Sequence, residues 1–224
     1  SAPPLPAPGA ATRGRSALAV PGVRLLVGAL LGVGTVFGAL QVSVTAVAEA
    51  DGRAGLSGVV YGLFATGSVL AGTVFGALRW KASPQRRLLA SYTLLVLGCS
   101  TLWAMPGLLS LAVAVFCCGL AIAPTMISAY TLVESLVDAG SKTEAFAWLT
   151  GSVGLGLALG STVAGRLADS VGAASGLLVP LTGAGLGLLA LLTLRQLLAP
   201  AARTVTTRTV ASAVPADYDL EPTH

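Results

Sequence analysis

The stretch GTVFGALRWKASPQRRLL at residues 72–89 places four positive charges between two apolar segments of the chain. These cations are Arg79, Lys81, Arg86 and Arg87. The flanking segments, residues 56–78 and 88–105, contain no Asp, Glu, Lys, Arg or His. A soluble domain carries roughly 25% charged residues, whereas this 224-residue chain has 10% charged and 54% hydrophobic residues. The composition therefore predicts a membrane protein in which the cations mark a loop between two spans.

Charge-free runs recur along the whole middle of the chain. There are six, at residues 25–48, 56–78, 88–105, 108–133, 145–164 and 173–194. A helix needs about 20 apolar residues to cross a bilayer, and its backbone groups must all be hydrogen-bonded internally. Barrel strands would be about half as long and would alternate apolar with polar residues. We therefore predict an all-α membrane protein with six transmembrane helices over residues 20–198, a flexible linker at 1–19 and a disordered cytoplasmic tail at 199–224.

The basic residues predict the orientation of these helices. Lys and Arg in short loops are retained on the cytoplasmic side of a membrane. If residue 1 lies in the cytoplasm, eleven of the 13 Lys and Arg residues fall on that side, and only Arg53 and Arg166 lie outside. Both ends are then cytoplasmic. The attraction of these loops to anionic lipid accounts for the net charge of +4, so we expect membrane lipid and no nucleic acid as a partner.

Small residues spaced four apart recur within the spans. They include Gly28 and Gly32, Gly34 and Gly38, Gly58 and Gly62, Ser68, Gly72 and Gly76, Gly156, Gly160 and Ala164, and Gly183 and Gly187. This spacing puts small residues on one helix face and lets helix backbones approach closely. It predicts tight helix packing, and the same faces would also allow helices to slide or rock.

The chain also contains an internal repeat. The segment GSVLAGTVFGALRW at 67–80 aligns with GLALGSTVAGRLAD at 156–169, an offset of 89 residues. The first segment ends on the cytoplasmic side and the second on the outer side, so the chain is predicted to form two inverted three-helix repeats. Such repeats are typical of secondary transporters.

Residues for enzyme chemistry are scarce. Cys99, Cys117 and Cys118 all lie within spans, and His224 is the single histidine. No metal cluster and no Ser/His/Asp or Cys/His set can be assembled from them. We therefore expect no enzyme activity, no metal and no cofactor.

One motif carries a family resemblance. The segment GRLADSVG at 165–172 resembles the G-x-L-a-D-r-x-G loop motif of the major facilitator superfamily. The stretch at 72–89 occupies the place of the cytoplasmic copy of that motif in the second half of such a transporter, although Trp80 stands where the Asp belongs. Residues 143–161 are similar to the start of helix eleven in bacterial drug and sugar efflux members. The predicted motif and gating residues are Gly76, Arg79, Arg86, Arg87, Glu134, Gly165, Asp169 and Gly172.

The resemblance covers about residues 20–198 and implies the C-terminal six-helix half of an efflux permease in a bacterial inner membrane. It implies alternating access for a small-molecule substrate, an N-terminal six-helix half as partner and a proton as coupling ion. Intramembrane acids normally carry such protons, and the spans contain no Asp or Glu, so we expect the proton carrier in the other half.

In that family the first and fourth helices of each half line the cavity. The polar residues that these two helices carry supply our candidate substrate contacts, Gln41, Thr45, Ser128, Tyr130 and Thr131. Gln41 and Thr45 are four apart and share a helix face. A structural alternative exists for each Ser and Thr, because their hydroxyls often bond to their own helix backbone.

Three other classes of function compete with a transporter. A six-helix scaffold or regulatory subunit would need no polar cavity and would tolerate substitution of Gln41. A membrane enzyme would need a cluster of ionisable or metal-binding groups. A channel could form by oligomerisation of six-helix chains.

Overall fold

A computed structural model describes residues 16–105 and 107–198, and every regular element in that part of the chain is helical. The α-helices are α1 (Pro21–Ala50), α2 (Ser57–Ala77), α3 (Pro84–Leu102), α4 (Leu108–Leu136), α5 (Lys142–Val171) and α6 (Leu178–Thr193). Short 3-10 turns precede or follow several of them. For the described residues, the prediction of an all-helical fold with six helices is confirmed.

The helix ends follow from local sequence. Proline begins α1 at Pro21 and α3 at Pro84, where its missing N–H costs nothing and its fixed φ suits the first turn. Gly172 ends α5 with a φ of 126°, a conformation that favours glycine. The motif at 165–172 was expected in a loop, but α5 continues to Val171 because no residue before Gly172 breaks the helix.

Five segments are long and apolar enough to cross a membrane. The exception is α3, which has Arg86 and Arg87 in its first turns and ends at Leu102, three residues before the predicted span does. The five are Pro21–Ala50, Ala54–Ala77, Leu108–Leu136, Ala139–Val171 and Ala173–Thr193. The third predicted span is therefore a helix, but it begins four residues earlier than its charge-free run, includes Arg86 and Arg87, and is more polar than that run indicated.

Two helices form the centre of the bundle. The α1 helix packs mainly against α5 and α6, α4 packs mainly against α2 and α3, and α3 also contacts α6. Within their most apolar segments, 61% of α1 and of α4 is buried, against 17% of α2 and 22% of α5. The exposed faces of α2 and α5 carry large apolar side chains such as Leu63, Val69 and Leu155.

Glycines set the distance between α1 and α5. A Cβ atom added to Gly34 or Gly38 of α1 would collide with a carbonyl oxygen of α5. A Cβ atom on Gly156 or Gly160 of α5 would likewise collide with a carbonyl of α1. The carbonyls belong to Val153, Leu157, Leu31 and Thr35. The predicted close packing is confirmed at this crossing, where only hydrogen atoms fit between the backbones.

The α2–α4 crossing is built in the same way. A Cβ atom on Gly67 would lie 2.6 Å from the carbonyl oxygen of Phe116, and one on Gly119 would collide with that of Phe64. Other glycines with the same spacing face open space. Cβ atoms on Gly28, Gly58, Gly62 and Gly76 would meet nothing within 4 Å. Four-residue spacing therefore overpredicted the close contacts.

Tyr92 joins three helices in the interior. It lies fully buried on α3, and its hydroxyl donates to the carbonyl oxygen of Ala29 on α1 at 2.7 Å. The absence of side chains at Gly32 of α1 and Gly187 of α6 leaves room for this hydroxyl. Tyr92 was not singled out by the sequence, because a lone tyrosine in an apolar span has no pattern to mark its partner.

Residues 16–19, in the predicted linker, contact the helices. Ala17–Ala19 form a 3-10 turn in which Ala17 is buried, and the Ser16 hydroxyl donates to the Glu144 carboxylate at 2.7 Å. These contacts attach the end of the predicted linker to α5. The rest of the predicted linker, residues 1–15, and the predicted tail at 199–224 lie outside the described residues.

Candidate functional site

A polar cleft of about 410 Å³ lies between the C-terminal parts of α1 and α5. Its lining residues are Gln41, Val42, Thr45, Ala46 and Glu49 from α1, and Gly165, Ala168 and Asp169 from α5. We call this the Gln41 cleft. It brings two of the predicted substrate contacts together with two residues of the predicted motif, which the sequence had treated as separate features.

One face of α1 supplies its polar groups. Gln41, Thr45 and Glu49 are spaced by four residues, which stacks them along the helix. The Thr45 hydroxyl donates to the Gln41 carbonyl oxygen at 2.9 Å, so it is satisfied by its own helix as the structural alternative proposed. Glu49 was missed because it follows the predicted span, although the same spacing from Gln41 and Thr45 could have revealed it.

The opposite wall comes from α5. Gly165 lies opposite Val42, and an added Cβ atom would make an ordinary contact of 3.8 Å with a Val42 methyl group. Asp169 follows one turn later and is exposed. Both motif residues are held on a rigid helix, so their positions relative to α1 are fixed by the glycine crossing deeper in the bundle.

The charge of the Gln41 cleft is negative. Two carboxylates, those of Glu49 and Asp169, line it, and no Lys or Arg is among its lining residues. Within the described residues neither carboxylate forms an ion pair. The Gln41 amide offers both donors and acceptors, and ionised carboxylates accept only. The cleft is suited to a cation or to a ligand rich in hydrogen-bond donors.

The three candidates on α4 lie elsewhere. The Tyr130 hydroxyl shares a hydrogen bond of 2.9 Å with that of Thr150 on α5, and its ring lies 5.6 Å from that of Phe146. The Thr131 hydroxyl donates to the Ile127 carbonyl of its own helix at 2.8 Å. The Ser128 hydroxyl is buried and has no partner among the described residues. None of the three lines the Gln41 cleft.

Of the predicted motif and gating residues near α2 and α3, Arg87 contacts an aromatic pair formed by Phe75 and Trp80. Trp80 donates its indole N–H to the Phe75 carbonyl at 2.8 Å, and the two rings lie 4.5 Å apart. The Arg87 guanidinium lies 5.7 Å from the centre of the Phe75 ring, a cation–π distance. Trp80, found where the family motif has Asp, thus packs on Phe75, the ring that also faces Arg87.

The other gating residues are separate from this contact. Gly76 lies in the last turn of α2, Arg79 in the following loop and Arg86 in the first turn of α3. Glu134 lies near the end of α4, is exposed and forms no ion pair with any described residue. Most of the predicted loop residues therefore occupy terminal turns of helices.

Groups of three or more His, Cys, Asp or Glu side chains that could hold a metal ion are absent from residues 16–105 and 107–198. Comparison of the sequence with protein-family models and with curated proteins gave no match.

Proposed function

We propose that this chain is the C-terminal six-helix half of a major facilitator-type efflux transporter, and that the Gln41 cleft is part of its substrate path. The observation that carries the proposal is the meeting of Gln41 and Thr45 with Gly165 and Asp169 in one polar cleft. Gln41 and Thr45 lie within the predicted span at 25–48, and polar groups inside a span are costly and usually functional. A scaffold has no need of a polar cleft.

The packing of the helices supports two repeats of three. Exchanging α1 with α4, α2 with α5 and α3 with α6 leaves the main packing pairs unchanged. The glycines at the two crossings also correspond, Gly34 with Gly119 at an offset of 85 residues and Gly67 with Gly156 at 89. The carbonyls that these glycines face correspond at the same two offsets. Repeated three-helix units of this kind are common in secondary transporters.

The exposed apolar faces support a bilayer as the surroundings. Leu63, Val69 and Leu155 are among many large apolar side chains left on the surface, which is unfavourable in water and suits lipid. With the basic loops inside, the Gln41 cleft opens toward the outer side of a bacterial inner membrane, and both chain ends are cytoplasmic.

The charge of the Gln41 cleft favours a small organic cation as substrate. Glu49 and Asp169 attract a positive charge, and the Gln41 amide can hold the neighbouring polar atoms. Both carboxylates lie at helix ends rather than in mid-membrane. A buried acid for proton coupling is therefore assigned to the N-terminal partner half.

Efflux of ethidium, a fluorescent organic cation, tests this function. In everted vesicles that contain the chain with its partner half, we expect Gln41→Ala to slow proton-driven ethidium uptake about fivefold, because losing one hydrogen bond costs about 1 kcal/mol. Gln196→Ala is the matched control, since Gln196 is an exposed amide on the turn after α6. Its flux should stay within about twofold of the wild type.

Two outcomes would contradict the proposal. Equal flux in the Gln41→Ala and Gln196→Ala vesicles would remove the Gln41 cleft from the path. Ethidium flux that is no greater with the chain than in empty vesicles would favour a scaffold or regulatory subunit.

A further inference from the structure

A second groove runs along the opposite part of α1, where α6 lies beside it. It consists of a mouth of about 340 Å³ near Arg24 and an inner part of about 330 Å³ near Thr35. Gly28 and Ala190 line both parts, so the two adjoin end to end beside α1 and are described together as one groove. From Arg24 to Thr35 it extends about 16 Å at 1.5 Å per residue, roughly half of a hydrocarbon core of about 30 Å.

The inner part has an apolar surface. Its two threonines are satisfied by their own helices, since the Thr35 hydroxyl donates to Leu31 at 3.0 Å and that of Thr182 donates to Val179 at 2.9 Å. Gly28 on its floor is exposed and would have nothing within 4 Å of an added Cβ atom. The groove exists because α5 and α6 both pack on α1 but contact each other only slightly.

The mouth is positive. Arg24 lines it from the first turn of α1, where the helix dipole also favours an anion. Arg195 is exposed directly after Leu194, which lines the same mouth from the end of α6. No carboxylate is among the lining residues of either part. A guanidinium binds phosphate through paired hydrogen bonds.

We propose that this groove binds an anionic phospholipid, with its phosphate at Arg24 and Arg195 and one acyl chain along Gly28 and Thr35. The charge at the mouth and the apolar interior match the two parts of such a lipid, and basic pockets at the cytoplasmic ends of membrane helices bind anionic headgroups. The site rests on the membrane placement in the proposed function. It does not depend on transport.

Native mass spectrometry of the intact chain, released from detergent with added lipid, tests the site. We expect one molecule of dioleoyl phosphatidylglycerol to bind at least about fivefold more tightly than dioleoyl phosphatidylcholine, because the two arginines favour net negative charge. Glycerol phosphate, which lacks acyl chains, should not bind at the same concentrations. Equal affinity for the two lipids, or equal binding of glycerol phosphate, would overturn the proposal.

Paired variants locate the site. Gly28→Leu should fill the groove without touching the rest of the bundle and weaken phosphatidylglycerol binding about tenfold, since each acyl methylene that it excludes costs about 0.8 kcal/mol. Gly62→Leu is its control, because Gly62 on α2 also faces open space. Arg24→Gln with Arg195→Gln should weaken binding about tenfold, and Arg53→Gln with Arg166→Gln removes the same charge elsewhere.

The two pairs remain independent tests. The arginine pair still tests the mouth if Gly28→Leu is unstable, and size-exclusion elution checks the fold of each variant. Equal weakening in a variant and its control would place the lipid elsewhere on the surface and overturn the proposal. Binding is measured without transport, so a negative ethidium experiment would leave this result unaffected, and lost lipid binding would not bear on the Gln41 cleft.

Discussion

The α1–α5 crossing and the α2–α4 crossing make the same contact twice and differ at one step. In each, a glycine faces a carbonyl of the other helix and a second glycine makes the reciprocal contact. These residues are Gly34 and Gly156 in the first crossing and Gly119 and Gly67 in the second. One turn further on, the first crossing repeats the arrangement with Gly38 and Gly160. The corresponding positions of the second crossing hold Ala123 and Ala71.

The first crossing thus has two reciprocal glycine contacts, and the second has one. We expect the methyl groups of Ala123 and Ala71 to hold α2 further from α4 at this step than α5 lies from α1. The α1–α5 contact, which joins two 30-residue helices, is also the more extensive. Without a hydrophobic drive between helices in lipid, packing distance governs how strongly they associate. The α1–α5 crossing should therefore contribute more stability, and it also fixes the walls of the Gln41 cleft.

Substitution of Gly156 should have the largest effect. Gly156→Val would drive a side chain into the Leu31 carbonyl, and overpacking of this kind typically costs about 1–3 kcal/mol, or more where the backbone cannot move. We expect a loss of about 3 kcal/mol, measured by reversible denaturation of the chain in detergent. The α1–α5 separation should also widen and the Gln41 cleft lose its shape.

Gly154→Val provides the matched control on the same helix. Gly154 is exposed and has open space around it, so its replacement should change stability by no more than about 0.5 kcal/mol. If Gly154→Val were as destabilising as Gly156→Val, helix propensity rather than the crossing would govern the response.

Gly119→Val should destabilise the α2–α4 crossing by a smaller amount. The new side chain would meet the Phe64 carbonyl. The effect should be smaller because the second crossing has one reciprocal glycine contact, whereas the first has two. We expect about 1–2 kcal/mol by the same denaturation measurement. Gly62→Val, on the open face of α2, serves as the control. A loss equal to that of Gly156→Val would mean that Ala123 and Ala71 do not loosen the second crossing.

The sequence predicted the positions of the helices better than it predicted which helices pack together. Charge-free length was enough to find all six, because a backbone in an apolar run has few alternatives to a helix. It could not assign partners, since spacing defines a face without saying what covers it. Gly58 and Gly62 have the same spacing as Gly34 and Gly38, yet the first pair faces open space and the second touches α5.

Only part of the candidate site could be predicted, because the sequence does not show which helices pack together. The shared face of Gln41 and Thr45 follows from helix geometry alone. Their proximity to Asp169 depends on how α5 crosses α1, which local sequence does not encode. The separation of Tyr130 from the Gln41 cleft has the same origin, since its partner is Thr150.

Tyr92→Phe should have the smallest effect. It tests a contact that only one of the two three-helix groups has. The α2–α5 offset of 89 residues pairs Tyr92 on α3 with Leu181 on α6. The hydrogen bond from the Tyr92 hydroxyl to Ala29 therefore has no counterpart in the α4–α6 group. The Ala29 carbonyl keeps its bond within α1 when the hydroxyl is removed, and hydrogen bonds between membrane helices contribute about 0.6 kcal/mol on average. We therefore expect the free energy of unfolding to fall by about 1 kcal/mol or less, measured by denaturation in detergent.

Tyr61→Phe is the control, because the Tyr61 ring stacks on Phe64 at 5.4 Å and its hydroxyl has no hydrogen bond to any described residue. A loss of about 3 kcal/mol or more for Tyr92→Phe alone would mean that this one hydroxyl, and not the glycine crossings, determines how α3 sits against α1.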